Sequence, residues 1–191
     1  MSVSIGLNTD SLAGWVHQKS GISVQRCYQC GKCSAGCPAA NEMDFTPSVL
    51  LRLLQTQRND SDQKVLSSYT IWLCLSCQTC ITRCPMEVDL PKVMDLLRAE
   101  AVKRRTVHPR AKEIVAFHTS FLNTIKRFGR LREVGLVGEY KLRTWHWLQD
   151  VLLSPSLFLK GKLSLLPHRI HGKEEVESMF IHARSEKENT K

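Results

Sequence analysis

A chain of 191 residues is long enough for one large or two small domains, and 42% hydrophobic residues suffice for a packed core, which excludes a disordered tail. The formal net charge of +9 is uneven: residues 101–172 hold fourteen Lys/Arg against four Asp/Glu, whereas residues 1–100 hold nine of each. No apolar run reaches the roughly 18 residues needed to span a bilayer, and MSVSIGLNTD lacks the basic and apolar regions of an export signal, so a cytoplasmic protein without a transmembrane segment is expected.

Along the chain, Asp10 or Thr9 can cap a short helix from about Ser11 to Lys19, which Gly21 ends. A first cysteine run follows, Cys27, Cys30, Cys33 and Cys37, closed by Pro38. Thr46-Pro47 reads as the N-cap and first residue of a helix to about Gln57, with Val49, Leu50, Leu53 and Leu54 as its apolar stripe. Asp60 or Ser61 opens another short helix before Trp72 and a second run, Cys74, Cys77, Cys80 and Cys84, closed by Pro85. Asp89 caps a long helix from Leu90 to about Arg105, in which Leu90, Val93, Met94, Leu97 and Ala101 recur on one face. His108-Pro109 begins a segment with Ile114, Phe117, Phe121, Ile125 and Phe128 on one face, stopping at Gly129. Tyr140, Leu142, Trp145 and Leu148 suggest a further helix, and Ser154-Pro155 starts a short one ended by Gly161. Residues 162–172 read as an apolar loop, Glu174 to Ala183 as a last helix, and SEKENTK as a frayed tail.

Both cysteine runs have the spacing C-x2-C-x2-C-x3-C-P, and together they hold all eight cysteines of the chain. This spacing suits a pair of [4Fe–4S] cubanes. Three cysteines on one tight loop take three corners of a cube, and the fourth points away to the other cluster. One expected set is therefore Cys27, Cys30, Cys33 and Cys84; the other is Cys74, Cys77, Cys80 and Cys37. The proline after each fourth ligand turns the chain away from its loop. Crossed ligation would staple the two motifs together and couple folding to cluster assembly. Zinc sites prefer two C-x-x-C pairs or a Cys/His mixture, disulfides are disfavoured in an intracellular chain, and no βαβ pattern accompanies a thioredoxin-type pair.

The 36 residues between Cys37 and Cys74 read as helix, without strand alternation. The expected fold is all-α: an alpha-helical ferredoxin over residues 1–105, in place of the βαβ arrangement of small bacterial ferredoxins, and a basic helical extension over 106–191 for partner docking. Two loaded clusters would bring the first hundred residues to about −4, so an electronegative end and a basic end can orient docking on an acidic partner. The basic residues of 101–143 are interleaved with helical apolar positions and lack a nucleic-acid signature, so no nucleic acid is expected. His118 and His146 read as packing residues, and His168 and His171 around Arg169 are a weak anion signal. Trp72, beside the second run, is expected to shield a cluster from water. Nucleotide-binding and hydrolase motifs are absent, and no cysteine is left over as a nucleophile, so no catalytic residue or substrate site of its own is expected.

CYQCGKCSAGCPAA (27–40) and CLSCQTCITRCPMEVDLPKVMDLLRAEAVKR (74–104) make the chain resemble the C subunit of heterodisulfide reductase, a 4Fe-4S dicluster electron-transfer protein. Residues 117–144 and 160–170 are also similar to that protein, and the likeness covers roughly residues 10–185. The resemblance implies a cytoplasmic complex in which a flavin-containing A subunit supplies electrons and the dicluster protein relays them. The B subunit, bearing Cys-Cys-Gly signatures, reduces a disulfide. The basic section and Val176, Met179, Phe180 and Ile181 would then be candidate docking surfaces. The competing expectation is the iron–sulfur component of a membrane-associated, quinone-linked dehydrogenase, although residues 1–26 are too few for the [2Fe–2S] domain that such chains usually add.

Overall fold

A computed structural model describes residues 8–145 and 172–188, and every regular element among them is a helix. The chain divides into two compact units, Met1–Ala111 and Lys112–Lys191.

The first unit opens with α1 (Leu12–Ser20). Its cap is Ser11 rather than Asp10 or Thr9, because the Ser11 hydroxyl accepts from the Gly14 N–H at 3.1 Å. At the other end the Gly21 N–H donates to the His17 carbonyl, as expected of a closing glycine. A 3-10 turn, Val24–Arg26, leads into the first cysteine loop and the short helix α2 (Lys32–Ala35). In α3 (Pro47–Gln55) the proline occupies the first turn, where its missing N–H costs nothing. The buried face of α3 is Pro47, Leu50, Leu51 and Leu54. The expected stripe is therefore rotated: Leu51 is inside, and Val49 is 44% exposed. A Val-Leu-Leu-Arg-Leu-Leu run offers two adjoining apolar faces, and packing against α1, α2 and the next helix selects between them.

That next helix is α4 (Asn59–Leu66), with Asp60 and Ser61 in its first turn and Arg58 before it. Asp62 is buried and accepts the Leu12 N–H at 2.9 Å, tying α4 to the start of α1. Helices α5 (Thr70–Leu73) and α6 (Thr79–Arg83) flank the second cysteine loop. The central element is α7 (Leu90–Lys103), which touches α1, α4, α5 and α6. Asp89 caps it by accepting from the Lys92 N–H at 3.1 Å, and all five residues of the expected face are buried. Leu50, Leu54 and Leu97 are fully buried, and each contributes about 2 kcal/mol by leaving water. The unit closes with a 3-10 turn, Pro109–Ala111, and Arg110 lies over the Tyr69 ring at 4.4 Å.

The second unit contains α8 (Lys112–Phe128), α9 (Glu133–Thr144) and a helix over Lys173–Glu188, with α8 packed on both of the others. Phe117 meets Phe121 and Tyr140, and Asn123 donates to Glu139 at 2.7 Å. The fully covered positions of α8 are Ser120 and Thr124, whereas its apolar residues are half-buried or exposed, Phe117 at 43% and Leu122 at 51%. His118 is exposed, with its ring in an edge-type contact with that of Phe117, so it is not a core histidine. Trp145 ends α9 in a left-handed conformation at 81% exposure. The last helix runs through Glu188, so residues 185–188 are helical and not a frayed tail; Glu174 and Glu175 favour its N-terminal turn electrostatically. The expectations for His146, Leu148, the helix at 154–161, and His168, Arg169 and His171 fall outside the described residues.

Candidate iron–sulfur site

The two cysteine loops share a backbone trace. In the first, Gln29 and Gly31 have φ of 65° and 76°; in the second, Ser76 and Gln78, at the same places relative to the cysteines, have 51° and 62°. Left-handed residues at alternating positions turn successive N–H groups to one side, a nest suited to an anion. Each loop then enters a short helix, α2 with Gly31 and α6 with Gln78 as N-cap. The fourth cysteine follows, its N–H donating to the Ser34 carbonyl for Cys37 and the Ile81 carbonyl for Cys84, at 3.2 and 3.0 Å. Glycine advertises this geometry in the sequence at Gly31 alone; nothing marks Gln29, Ser76 or Gln78.

These loops bound two cavities. One, of about 360 Å³, is lined by Cys27, Cys30, Cys33 and Cys84, with Cys80 also on its wall and Leu51, Val88 and Leu90 among its apolar residues. The other, of about 410 Å³, is lined by Cys37, Cys74, Cys77 and Cys80, with Met43, Leu90 and Met94. Cys80 and Leu90 belong to both walls, so the cavities are neighbours. All eight cysteines are unpaired thiols. Among the described residues no three His, Cys, Asp or Glu side chains gather as they would around a single metal ion. A soft four-thiol donor set in an apolar wall instead fits a multi-atom iron–sulfur group. Trp72 lines neither cavity directly; it packs against the core beside the second run, with Nε1 buried and without a hydrogen-bond partner.

Each loop is also anchored from the helix that follows its motif. Gln55 at the end of α3 donates to the carbonyls of Val24 and Cys27 at 3.1 and 2.6 Å. Arg98 in α7 donates to the carbonyls of Ile71 and Cys74. Val24 and Ile71 each lie three residues before the first cysteine of a run, so the two anchors are equivalent. Where α2 meets α6, Gly36 faces Arg83: a Cβ on Gly36 would sit 2.6 Å from Nη1 and 2.8 Å from Cδ. These two positions also correspond, each directly preceding a fourth cysteine. Asp44 joins the halves by accepting the N–H groups of Tyr69 and Thr70, both at 2.8 Å. Sequence reasoning misses Gln55, Arg98, Gly36 and Arg83; superposing the two runs as an internal repeat would align Gly36 with Arg83, but it leaves Gln55 and Arg98 about one helical turn out of register.

The thiols differ by position within each loop. The Lys32 N–H draws Cys30 below its ordinary value, and the Thr79 hydroxyl does the same for Cys77. Burial pushes Cys33 up and Cys80 up to about 11. Thiolates are the ligating form, so filling the cavities must release protons from the two innermost cysteines.

Residues 23–88 match the 4Fe-4S dicluster domain family. The chain is 31% identical over 97 residues to the C subunit of the H(2):CoB-CoM heterodisulfide,ferredoxin reductase of Methanothermobacter marburgensis, covering 51% of each protein. It is 35% identical over 83 residues to the iron-sulfur C subunit of the CoB–CoM heterodisulfide reductase of Methanopyrus kandleri, covering 44% of this chain and 42% of that one. With the C subunit of the Ferredoxin:CoB-CoM heterodisulfide reductase of Methanosarcina mazei it shares 31% over 103 residues, 52% of this chain and 62% of that one. The chain thus spans about half the length of the curated relatives it matches. Its eight cysteines fit two [4Fe–4S] clusters, residues 23–88 match a 4Fe-4S dicluster domain, and over about half its length the chain is similar to the C subunits of heterodisulfide reductases.

Proposed function

We propose that the chain is an electron-transfer component of a larger complex, passing single electrons between two protein partners by way of two clusters held in crossed sets. Cys27, Cys30, Cys33 and Cys84 hold one, and Cys74, Cys77, Cys80 and Cys37 hold the other. The observation that supports this reading is the grouping of the cysteines around two cavities with a shared wall, Cys84 lying with Cys27, Cys30 and Cys33, and Cys37 with Cys74, Cys77 and Cys80, the last of which lines both. When bound, a [4Fe–4S] cluster supplies a one-electron store whose potential depends on charge, hydrogen bonds and exposure.

The remaining work belongs to the chain's own residues. Leu51, Val88, Leu90, Met43 and Met94 exclude water from the cavity walls. Gln55 and Arg98 fix the carbonyls at the base of each loop. Tyr28 and Leu75, directly after the first cysteine of each run, are 58% and 70% exposed and offer apolar contact beside each cavity. By the likeness to the C subunits, the donor is a flavin-containing A subunit and the acceptor a Cys-Cys-Gly-bearing B subunit of a heterodisulfide reductase-like complex. Residues 106–191 form a basic extension that docks a partner. The complex is cytoplasmic in this reading, and no helix among the described residues is long and apolar enough to cross a membrane.

Native purification of the tagged full chain followed by mass spectrometry tests the assignment. The expected result is a flavoprotein and a Cys-Cys-Gly protein in the same complex, with electrons passing from reduced flavin to the clusters. Recovery of a haem- or quinone-binding membrane partner in their place would overturn it.

A further inference from the structure

Gln55 and Arg98 do the same mechanical job with different charge. Each reaches from the helix after its motif to the carbonyl of the first cysteine and the carbonyl three residues earlier. The first half shows that a neutral amide is sufficient for this anchoring. The positive charge in the second half is therefore surplus to the hydrogen bonding, and its effect is electrostatic. We infer that Arg98 is a potential-setting residue: its charge raises the reduction potential at the cavity of Cys37, Cys74, Cys77 and Cys80, while neutral Gln55 leaves the other cavity without that bias. This inference rests on the dicluster reading given above.

The physical case turns on where the charge sits. Adding an electron at either cavity makes it more negative, and a fixed cation nearby stabilises that reduced level. Arg98 bonds the backbone of a ligating cysteine, and its side chain is only 24% exposed, so solvent screens it weakly. Its partner Asp95, at 3.0 Å, is 61% exposed and hence better screened, so it offsets only part of the charge. Asp44, tied to Tyr69 and Thr70 before the second run, has its carboxylate satisfied by their N–H groups. In the first half the nearby cations are Lys32 on the cavity wall and Arg52 beside Cys27 and Gln55, and both are exposed. Arg83 lies against Gly36 where the two halves meet and so favours neither strongly.

The test is an EPR-monitored redox titration of the full chain carrying its clusters, with iron counted in every sample. Arg98→Gln installs the first half's anchor in the second half; the expected result is a downward shift of one of the two potentials, with the other unchanged. Arg98→Lys keeps the charge but loses the forked donor, and it should retain most of the wild-type potential. Gln55→Arg should raise the other potential, and it decides the question alone if Arg98→Gln does not fold. Equal shifts in Arg98→Gln and Arg98→Lys would reduce Arg98 to an anchor and overturn the proposal, as would no upward shift in Gln55→Arg at full iron content. Wild-type protein with iron for fewer than two clusters would instead overturn the dicluster reading, and this proposal with it.

Discussion

Gly31 and Gln78 stand at the same place in the two cysteine loops, with φ of 76° and 62°, and each leads directly into a short helix. Gln29 and Ser76 correspond in the same way, and Gln55 and Arg98 anchor the same pair of carbonyls in each half. The cradle for four sulfurs demands a particular backbone, and several side chains can supply it. Other pairs cannot be interchanged. Gly36 gives up its side chain so that Arg83 can occupy the space between α2 and α6. The halves are alike where they face the cavities and unlike where they face each other.

The strongest break of this likeness is to remove one fourth ligand at a time. Under crossed ligation Cys84→Ser empties the cavity of Cys27, Cys30 and Cys33, although Cys84 lies in the other run; Cys37→Ser empties that of Cys74, Cys77 and Cys80. Each variant should lose about half of its iron, and the two should lose different EPR signals. Assigning the lost signal in Cys84→Ser to the Cys74, Cys77 and Cys80 site would show that each run ligates its own cluster.

A second comparison needs no substitution. In the iron-free chain, Cys30 and Cys77 are exposed and have lowered pKa values, whereas Cys33 and Cys80 are half-buried and raised. Cys80 at about 11, against an ordinary 9.0, has about a hundredfold less thiolate at neutral pH. Pulsed iodoacetamide labelling read by mass spectrometry should therefore modify Cys30 and Cys77 well before Cys33 and Cys80, and the gap should narrow as the pH rises toward 11. Uniform labelling would mean that the cavity walls do not persist without clusters.

The grouping of the cysteines around two cavities and the helical class are legible in the sequence because cysteine spacing and helical periodicity are local signals. The face of α7 can be read directly, since its apolar residues recur on one side only. The face of α3 cannot, because its apolar run is wider than one stripe, and the choice of Leu51 over Val49 depends on helices distant in sequence. Ser11 is hard to single out as the α1 cap because Thr9, Asp10 and Ser11 are all competent, and only the chain's approach to Gly14 selects among them. Gln55 and Arg98 carry no local signature at all: a glutamine and an arginine on helices look like ordinary solvated residues until the loops they anchor are placed beside them.

The smallest effect is also the most direct comparison of the halves. A Cβ at Gly31 would meet no protein atom within 4 Å, so the cost of Gly31→Ala on the protein side is conformational. A left-handed non-glycine residue costs about 1–2 kcal/mol, and the restricted unfolded chain returns roughly 0.5–1, so a net loss of about 1 kcal/mol is expected. Gln78→Gly reverses the balance and should gain up to about 1 kcal/mol. Guanidinium midpoints of the cluster-loaded protein can read both. The double exchange, Gly31→Gln with Gln78→Gly, then isolates the question: if the two loops are equivalent cradles, the terms cancel to within about 0.5 kcal/mol. A larger residue of either sign would show that Gln78 does more than hold a left-handed turn, and the second half would then differ from the first in its loop as well as in its anchor.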